Sequence, residues 1–307
     1  MRIGIDLGGT KIEAVAMGGA GEELHRERIP TPRGYGGTLE AIADLVERAE
    51  RATGRRGTVG VGIPGAVSPV TGLIKNANST WLIGRPLDRD LAARLDRPVR
   101  MTNDANCFAL SEAADGAAAG ASSVFGVILG TGVGGGVVLH GGVWEGASRI
   151  AGEWGHNPLP WPDDDERPGP PCWCGLRGCI ETFCSGPGME RDHRGATGEE
   201  LSAAEVVARA GAGDAAAEAT LERYVGRLAR SLATVVNVID PEVVVLGGGV
   251  SNTPGLPERV QAALPPWVFS DEVAARVVRH RHGDSSGVRG AAWLWPEGGE
   301  RKAVTPL

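Results

Sequence analysis

A strand, a glycine turn, a second strand and a second glycine turn open this chain, and the same succession returns about 122 residues later. In the first copy Arg2 to Leu7 runs into Gly8 and Gly9, then Thr10 to Met17 into Gly18-Gly19. In the second, Val124 to Leu129 runs into Gly130-Thr131-Gly132, and Gly136 to Leu139 into Gly141-Gly142. A repeat of that length is a domain, not a solenoid unit, so the pattern predicts two related α/β domains around a ligand-holding cleft.

Other segments fill in around the repeat. Leu39, Ile42, Leu45, Val46 and Ala49 recur at helical spacing and predict a helix over 38–52. Val59 to Ile63 reads as a strand, 106–116 as a helix, and 117–121 as a small-residue joint. Residues 162–170, rich in Pro and Asp, read as an exposed loop. Leu221, Val225, Leu228, Leu232, Val235 and Ile239 mark a long helix from 218 to 239, Val243 to Leu246 a buried strand, and 286–295 a final helix. The predicted domains are 1–117, joined by 286–307 packing back onto it, and 118–285.

Composition removes several classes of function. The 48 glycines show no Gly-X-Y period, which excludes collagen, and they gather in short loops where backbone can approach a ligand. A formal net charge of −7 without a basic run argues against nucleic-acid partners. No apolar stretch reaches the roughly 18 residues that span a bilayer, and no signal-peptide pattern opens the chain, so a cytoplasmic location is expected. Four of the five cysteines lie within 172–184, which points to a reduced compartment and a metal site rather than a disulfide scaffold.

Five motifs carry chemistry. In Asp6-Leu7-Gly8-Gly9-Thr10-Lys11, glycine N–H groups at a strand end can face phosphate oxygens, Thr10 and Lys11 can add donors, and Asp6 can hold Mg²⁺ through water; an ordinary hairpin is the plain alternative. Gly130-Thr131-Gly132, with Gly134-Gly135-Gly136, repeats that chemistry, and two facing hairpins make a polyphosphate clamp. No P-loop pattern occurs. Gly60-Val61-Gly62-Ile63-Pro64-Gly65 imitates a dinucleotide fingerprint, but Pro64 breaks it and no helix can open after it, so a tight loop lining a pocket is the better reading. Asn103-Asp104 lies between a strand and a helix; Asp104 is either a helix cap or a carboxylate placed to take a proton from an attacking hydroxyl. His156, Cys172, Cys174 and Cys179 offer one imidazole and three thiolates, the donor set of a closed structural zinc site, against unrelated buried thiols. Cys107 and Cys184 fall outside that spacing. Glu153 and Glu181 flank the cluster and suit a polyhydroxylated ligand, or are surface charges. Gly247-Gly248-Gly249 can let an adenosine lie flat, or is a plain strand-to-helix turn.

Taken together these motifs resemble the ROK family of sugar kinases and sugar-responsive repressors, on the actin/hexokinase-like ATPase fold. The matching pieces are the Asp6 to Lys11 loop, Gly65, Asn103-Asp104, Gly130-Thr131-Gly132, Gly152-Glu153-Trp154-Gly155-His156, the run from Cys172 to Glu181, and Gly247-Gly248-Gly249, spanning roughly 1–296. Within the family, 75–82, 155–161 and 282–290 look most similar to bacterial fructokinases. The resemblance implies ATP-dependent phosphorylation of a hexose, fructose first, with mannose, glucose or an N-acetylated hexosamine as alternatives, and a non-catalytic sugar sensor as the rival outside enzymes. It implies Asp104 as base, and Gly65, Asn78, Asn103, Glu153, His156 and Glu181 around the sugar. His156 would bind zinc through one nitrogen and face the sugar with the other. ATP with Mg²⁺, structural zinc and a homodimer are further implications. The family's repressors carry an N-terminal DNA-binding domain, for which a strand beginning at Arg2 leaves no room. One run departs from the family pattern: Gly146-Ala147-Ser148-Arg149-Ile150 stands near the sugar pocket in place of a small Gly- and Asn-rich run, and it bears on sugar preference.

Overall fold

Alternating apolar residues and glycine turns pair the first two strands, β1 (Arg2–Leu7) and β2 (Lys11–Met17), into an antiparallel hairpin closed by the Gly8 N–H donating to the Lys11 carbonyl. The computed structural model describes residues 1–77 and 79–296. From β2 the chain returns in β3 (Glu23–Pro30), crosses in helix α1 (Tyr35–Thr53), and adds β4 (Thr58–Ile63) parallel to β1. A two-stranded flap of β5 (Ala66–Val67) and β6 (Ile74–Lys75) follows, then helix α2 (Leu87–Leu95) and β7 (Val99–Asn103). The first sheet has the order β3-β2-β1-β4-β7. The helix predicted over 38–52 is α1, whose Ile42, Leu45, Val46 and Ala49 are buried against the sheet.

Helix α3 (Asp104–Ala114) leads to the second copy, β8 (Ser123–Leu129), β9 (Val133–Leu139) and the short β10 (Gly142–Val143). Then come the metal-candidate loop, the helices α4 (Ile180–Cys184), α5 (Gly186–Thr197), α6 (Ala203–Gly211) and α7 (Ala215–Ile239), and strand β11 (Val243–Gly247). Helix α8 (Leu256–Ala263), strand β12 (Arg276–Arg279) and helix α9 (Ser286–Trp293) complete the described chain. The second sheet, β10-β9-β8-β11-β12, repeats the pairing directions of the first: two antiparallel neighbours on one side of the central strand, parallel ones on the other. The internal duplication is therefore real. Every chemistry-bearing motif except the cysteine cluster sits at or just beyond the carboxyl end of a strand, where open α/β sheets bind ligands.

Three sequence expectations shift. The strand expected from Gly136 begins earlier, at Val133, so Gly134 and Gly135 are not turn residues but lie inside β9. The loop over 162–170 is not wholly exposed, because Glu166 is buried and accepts from Arg227 Nε (2.6 Å) and from Arg230. Helix α3, assigned by sequence to the first domain, packs on β8 and β9 of the second sheet, with Phe108, Ala109 and Leu110 against Val124, Val138 and Val245. Helix α9 packs on β1 and β4, and α3 and α9 cross each other between the sheets; residues 297–307 lie outside the described part.

Glycine makes that crossing possible. A Cβ on Gly4 of β1 would lie 2.0 Å from the Val288 carbonyl of α9, and one on Gly126, its equivalent in β8, 2.6 Å from Ala109 Cβ of α3. Gly290 of α9 lies against α3, where a Cβ would be 1.7 Å from the Cys107 carbonyl oxygen. Backbone on both sides of that contact leaves nothing flexible to yield. Gly290→Ala is expected to destabilise by about 1–3 kcal/mol in urea unfolding, whereas Gly226→Ala, in α7 with nothing within 4 Å of its Cβ, stabilises by about 0.5–1 kcal/mol. Equal effects from the two variants would refute this account of the crossing.

Candidate active site

Three adjoining cavities run along the cleft. The first, about 460 Å³, is lined by Gly65, Asn103, Asp104, Glu153, His156 and Glu181 together with the Gly130 to Gly135 hairpin. The second, about 570 Å³, is lined by Asp6, Gly8, Gly9, Asp104, Gly248 and Gly249. The third, about 660 Å³, lies between Gly130-Thr131, the start of α5 and α6, and Gly249 to Thr253. Asp104 and Ile128 line both the first and the second cavity, Gly130 and Thr131 the first and third, Gly249 and Asn252 the second and third.

Asp104 sits at the junction because β7 ends at Asn103 and α3 begins there. The cap is Asn103, whose Oδ1 accepts from Asn106 N (2.7 Å). Asp104 is therefore not spent on capping; its Oδ1 accepts from Ala105 N at 2.8 Å. The side chain is open to solvent in the cleft yet enclosed by both lobes at longer range. Burial between the lobes raises its pKa above the ordinary aspartate range; the Ala105 N–H opposes this and the Glu153 carboxylate adds to it.

Asp6 faces the same cavity from the end of β1. Its pKa is pushed up to about 6, first by burial, then by the carboxylates of Asp104 and Glu13, against the pull of Lys11 and Arg28. A carboxylate crowded by a neighbouring acid in a glycine-walled cavity is suited to draw a divalent cation, which would relieve that repulsion. The same crowding costs stability. Below pH about 4 Asp6 is protonated folded and unfolded alike; between about 4 and 6 only the folded chain keeps the proton, so stability falls as pH rises; above 6 the full penalty applies. Asp6→Asn is expected to stabilise the ligand-free protein at pH 7 by roughly 1–3 kcal/mol. In thermal melts the gain should fade as pH drops from 6 to 4, and a gain independent of pH would rule out this cause.

Glu181 is held on two sides: Oε2 accepts from Val133 N (3.0 Å) and Oε1 from Trp173 Nε1 (2.7 Å). His156 presents Nδ1 to Cys172 Sγ at 3.6 Å, while its ring also lines the first cavity. The donor atoms of His156, Cys172, Cys174 and Cys179 all lie within 4.8 Å of one another, and Cys174 Sγ is 3.6 Å from Cys179 Sγ. A zinc tetrahedron requires edges of about 3.8 Å between sulfurs and about 3.6 Å between sulfur and nitrogen. The cluster fits zinc in both number and spacing of donors.

Not every candidate reaches the cleft. Thr10 and Lys11 are exposed at the tip of the β1–β2 hairpin and line none of these cavities. Gly247 is the last residue of β11, packed so closely on Phe108 that a Cβ would lie 2.4 Å from the ring. Asn78 lies outside the described residues. Of the departing run, Ser148 and Arg149 bridge the lobes instead of facing the cavity: Lys75 Nζ donates to the Ser148 carbonyl (3.0 Å) and Arg149 donates to the Val67 carbonyl (3.4 Å). Ile150 is the residue of that run that lines the cavity. Asn76 and Trp173 join it there, and Glu190, Ser202, Ala203 and Thr253 line the third cavity. Trp173 had a usable signal, standing between two cysteines of the cluster. The third-cavity residues had none, since α5, α6 and the turn after β11 meet only in space.

Known proteins share the sequence and the fold. The ROK family model matches residues 2–298. An N-acetyl-D-glucosamine kinase from Shigella boydii is 43% identical over 300 residues, 96% of this chain and 99% of that protein, and one from Escherichia coli matches to the same extent. Among solved structures, a ROK hexokinase from Thermus thermophilus superposes with a TM-score of 0.84 at 38% identity, over 95% of this chain and 97% of that one. A ROK family glucokinase from Streptomyces griseus, in complex with glucose and AMPPNP, gives 0.76 at 28% identity, over 95% and 98%. No helix among the described residues is long and apolar enough to cross a membrane. With duplicated sheets, a shared cleft and matches along nearly its whole length, this chain belongs to the ROK family, as a sugar kinase on the actin/hexokinase-like ATPase fold.

Proposed function

We propose that this protein transfers the γ-phosphoryl group of ATP to a hydroxyl of an N-acetylated hexosamine, N-acetyl-D-glucosamine first, with Asp104 as general base. The observation that carries this reading is the position of Asp104, whose carboxylate borders both the polar first cavity and the glycine-walled second one. The sugar occupies the first cavity, the nucleotide phosphates the second, and the adenosine the third. Fructose, expected from likeness in three short runs, gives way to the amino sugar, because relatives 43% identical over 96% of the chain are N-acetyl-D-glucosamine kinases.

Asp104 accepts the hydroxyl proton as that oxygen attacks phosphorus in line, and its raised pKa brings its basicity nearer to neutral pH. Backbone N–H groups of the two hairpins receive the charge on the phosphate oxygens. Asp6 is placed to hold, through water, a Mg²⁺ ion that would supply charge neutralisation at those oxygens. His156, Cys172, Cys174 and Cys179 would hold a structural zinc, which would fix the segment that carries Glu181.

The test is ADP release measured with N-acetyl-D-glucosamine, N-acetyl-D-mannosamine, glucose, mannose and fructose. The highest kcat/KM should fall on N-acetyl-D-glucosamine. A maximum on fructose would restore the fructokinase reading, and sugar binding without ATP consumption would point to a sensor.

A further inference from the structure

The first cavity is polar enough for a sugar's hydroxyls, yet it exposes two large apolar side chains: Trp173 is 77% and Ile150 50% accessible. Leaving such surface in water is unfavourable, and at a ligand site it marks where an apolar part of the ligand belongs. Trp173 is also held in place. Its Nε1 donates to Glu181 Oε1 (2.7 Å), its ring meets the His156 ring edge-on with centroids 4.8 Å apart, and Cys172 and Cys174 flank it in the chain. A ring fixed before the ligand arrives loses little freedom on binding. Ile150 comes from the other side of the sequence motif, at the end of the 146–150 run whose Ser148 and Arg149 are tied to the flap.

We infer that Trp173 and Ile150 form an apolar subsite for the acyl methyl of an N-acetylated hexosamine, and so set preference for the acylated sugar over the parent hexose. The inference rests on the sugar-kinase reading above and adds the residues that discriminate. A hydrophobic pocket separates ligands that differ by one small apolar group about 10–200-fold.

The experiment compares kcat/KM for N-acetyl-D-glucosamine and glucose in wild type, Trp173→Ala, Trp173→Phe and Ile150→Ser, with zinc content measured in each. In Trp173→Ala and Ile150→Ser the ratio of acylated to parent sugar is expected to fall at least ~10-fold with zinc retained. Trp173→Phe keeps a ring but loses the donor to Glu181, so both sugars should weaken together and the ratio should hold. A wild-type ratio near one sinks the underlying choice of substrate. A wild-type preference for the acylated sugar that Trp173→Ala and Ile150→Ser leave intact sinks the subsite alone. Equal loss for both sugars in Trp173→Ala would place the ring against the sugar's C–H face and also overturn the acyl assignment. Should Trp173→Ala lose its zinc, Ile150→Ser, which adjoins none of the cluster residues in the chain, decides.

Discussion

Asp104→Asn is expected to lower kcat by ~10²–10⁴-fold while leaving the affinities for ATP and sugar close to those of wild type. The asparagine keeps the size of the side chain and an oxygen to accept from Ala105 N, and the cap on α3 belongs to Asn103, so helix and cavity persist. What is lost is the ability to take a proton. The pH profile separates this from mere disturbance. In wild type, activity should decline on the acid side through a pKa above the usual aspartate range, because burial and then Glu153 raise it. In the variant that limb should vanish from the residual rate. Removing the Asp104 charge should also lower the pKa of Asp6, which Asp104 helps to raise. Turnover within a few-fold of wild type would remove Asp104 from the mechanism and leave the shared position between cavities without a role.

Loss of the metal should be nearly as damaging, by a different route. Cys179 is buried and immediately precedes α4, two residues before Glu181. In Cys179→Ser, bound zinc should fall from one per chain to nearly none, and the segment from His156 to Glu181 should lose its order. Sugar KM should then rise at least ~10–10²-fold, since outer partners of metal ligands already carry effects of that size. Nucleotide affinity should hold, because the third cavity is built from α5, α6 and the turn after β11. The control is Cys184→Ala, a buried thiol outside the cluster, which should keep its metal. Full zinc in Cys179→Ser, or none in wild type, would dissolve the cluster into separate thiols.

The cysteine and histidine cluster and the placing of Asp104 at a strand end were legible in the sequence because each depends on short-range chemistry: three cysteines within eight residues, and an acid where a strand gives way to a helix. Helix α3 shows the opposite case. It is buried nearly all round, so its sequence has no polar face to say which sheet it joins. The glycines were only half legible. Those in turns were read as ligand-facing, but Gly4, Gly126 and Gly136 lie within strands where helices press against the backbone. In a sequence, glycine at a turn and glycine under a helix look the same.

What the amino-acid order alone determined here is the duplicated strand-and-turn frame, the acid at the end of β7 and the donor set of the cysteine loop, because hydrogen-bonding pattern, turn chemistry and ligand type are local properties. Which cavity each residue enters, how α3 and α9 cross, and how Trp173 and Ile150 come to border the same pocket as Asp104 were decided only by tertiary structure. Those relations join residues far apart in the chain, and packing, not local preference, brings them together.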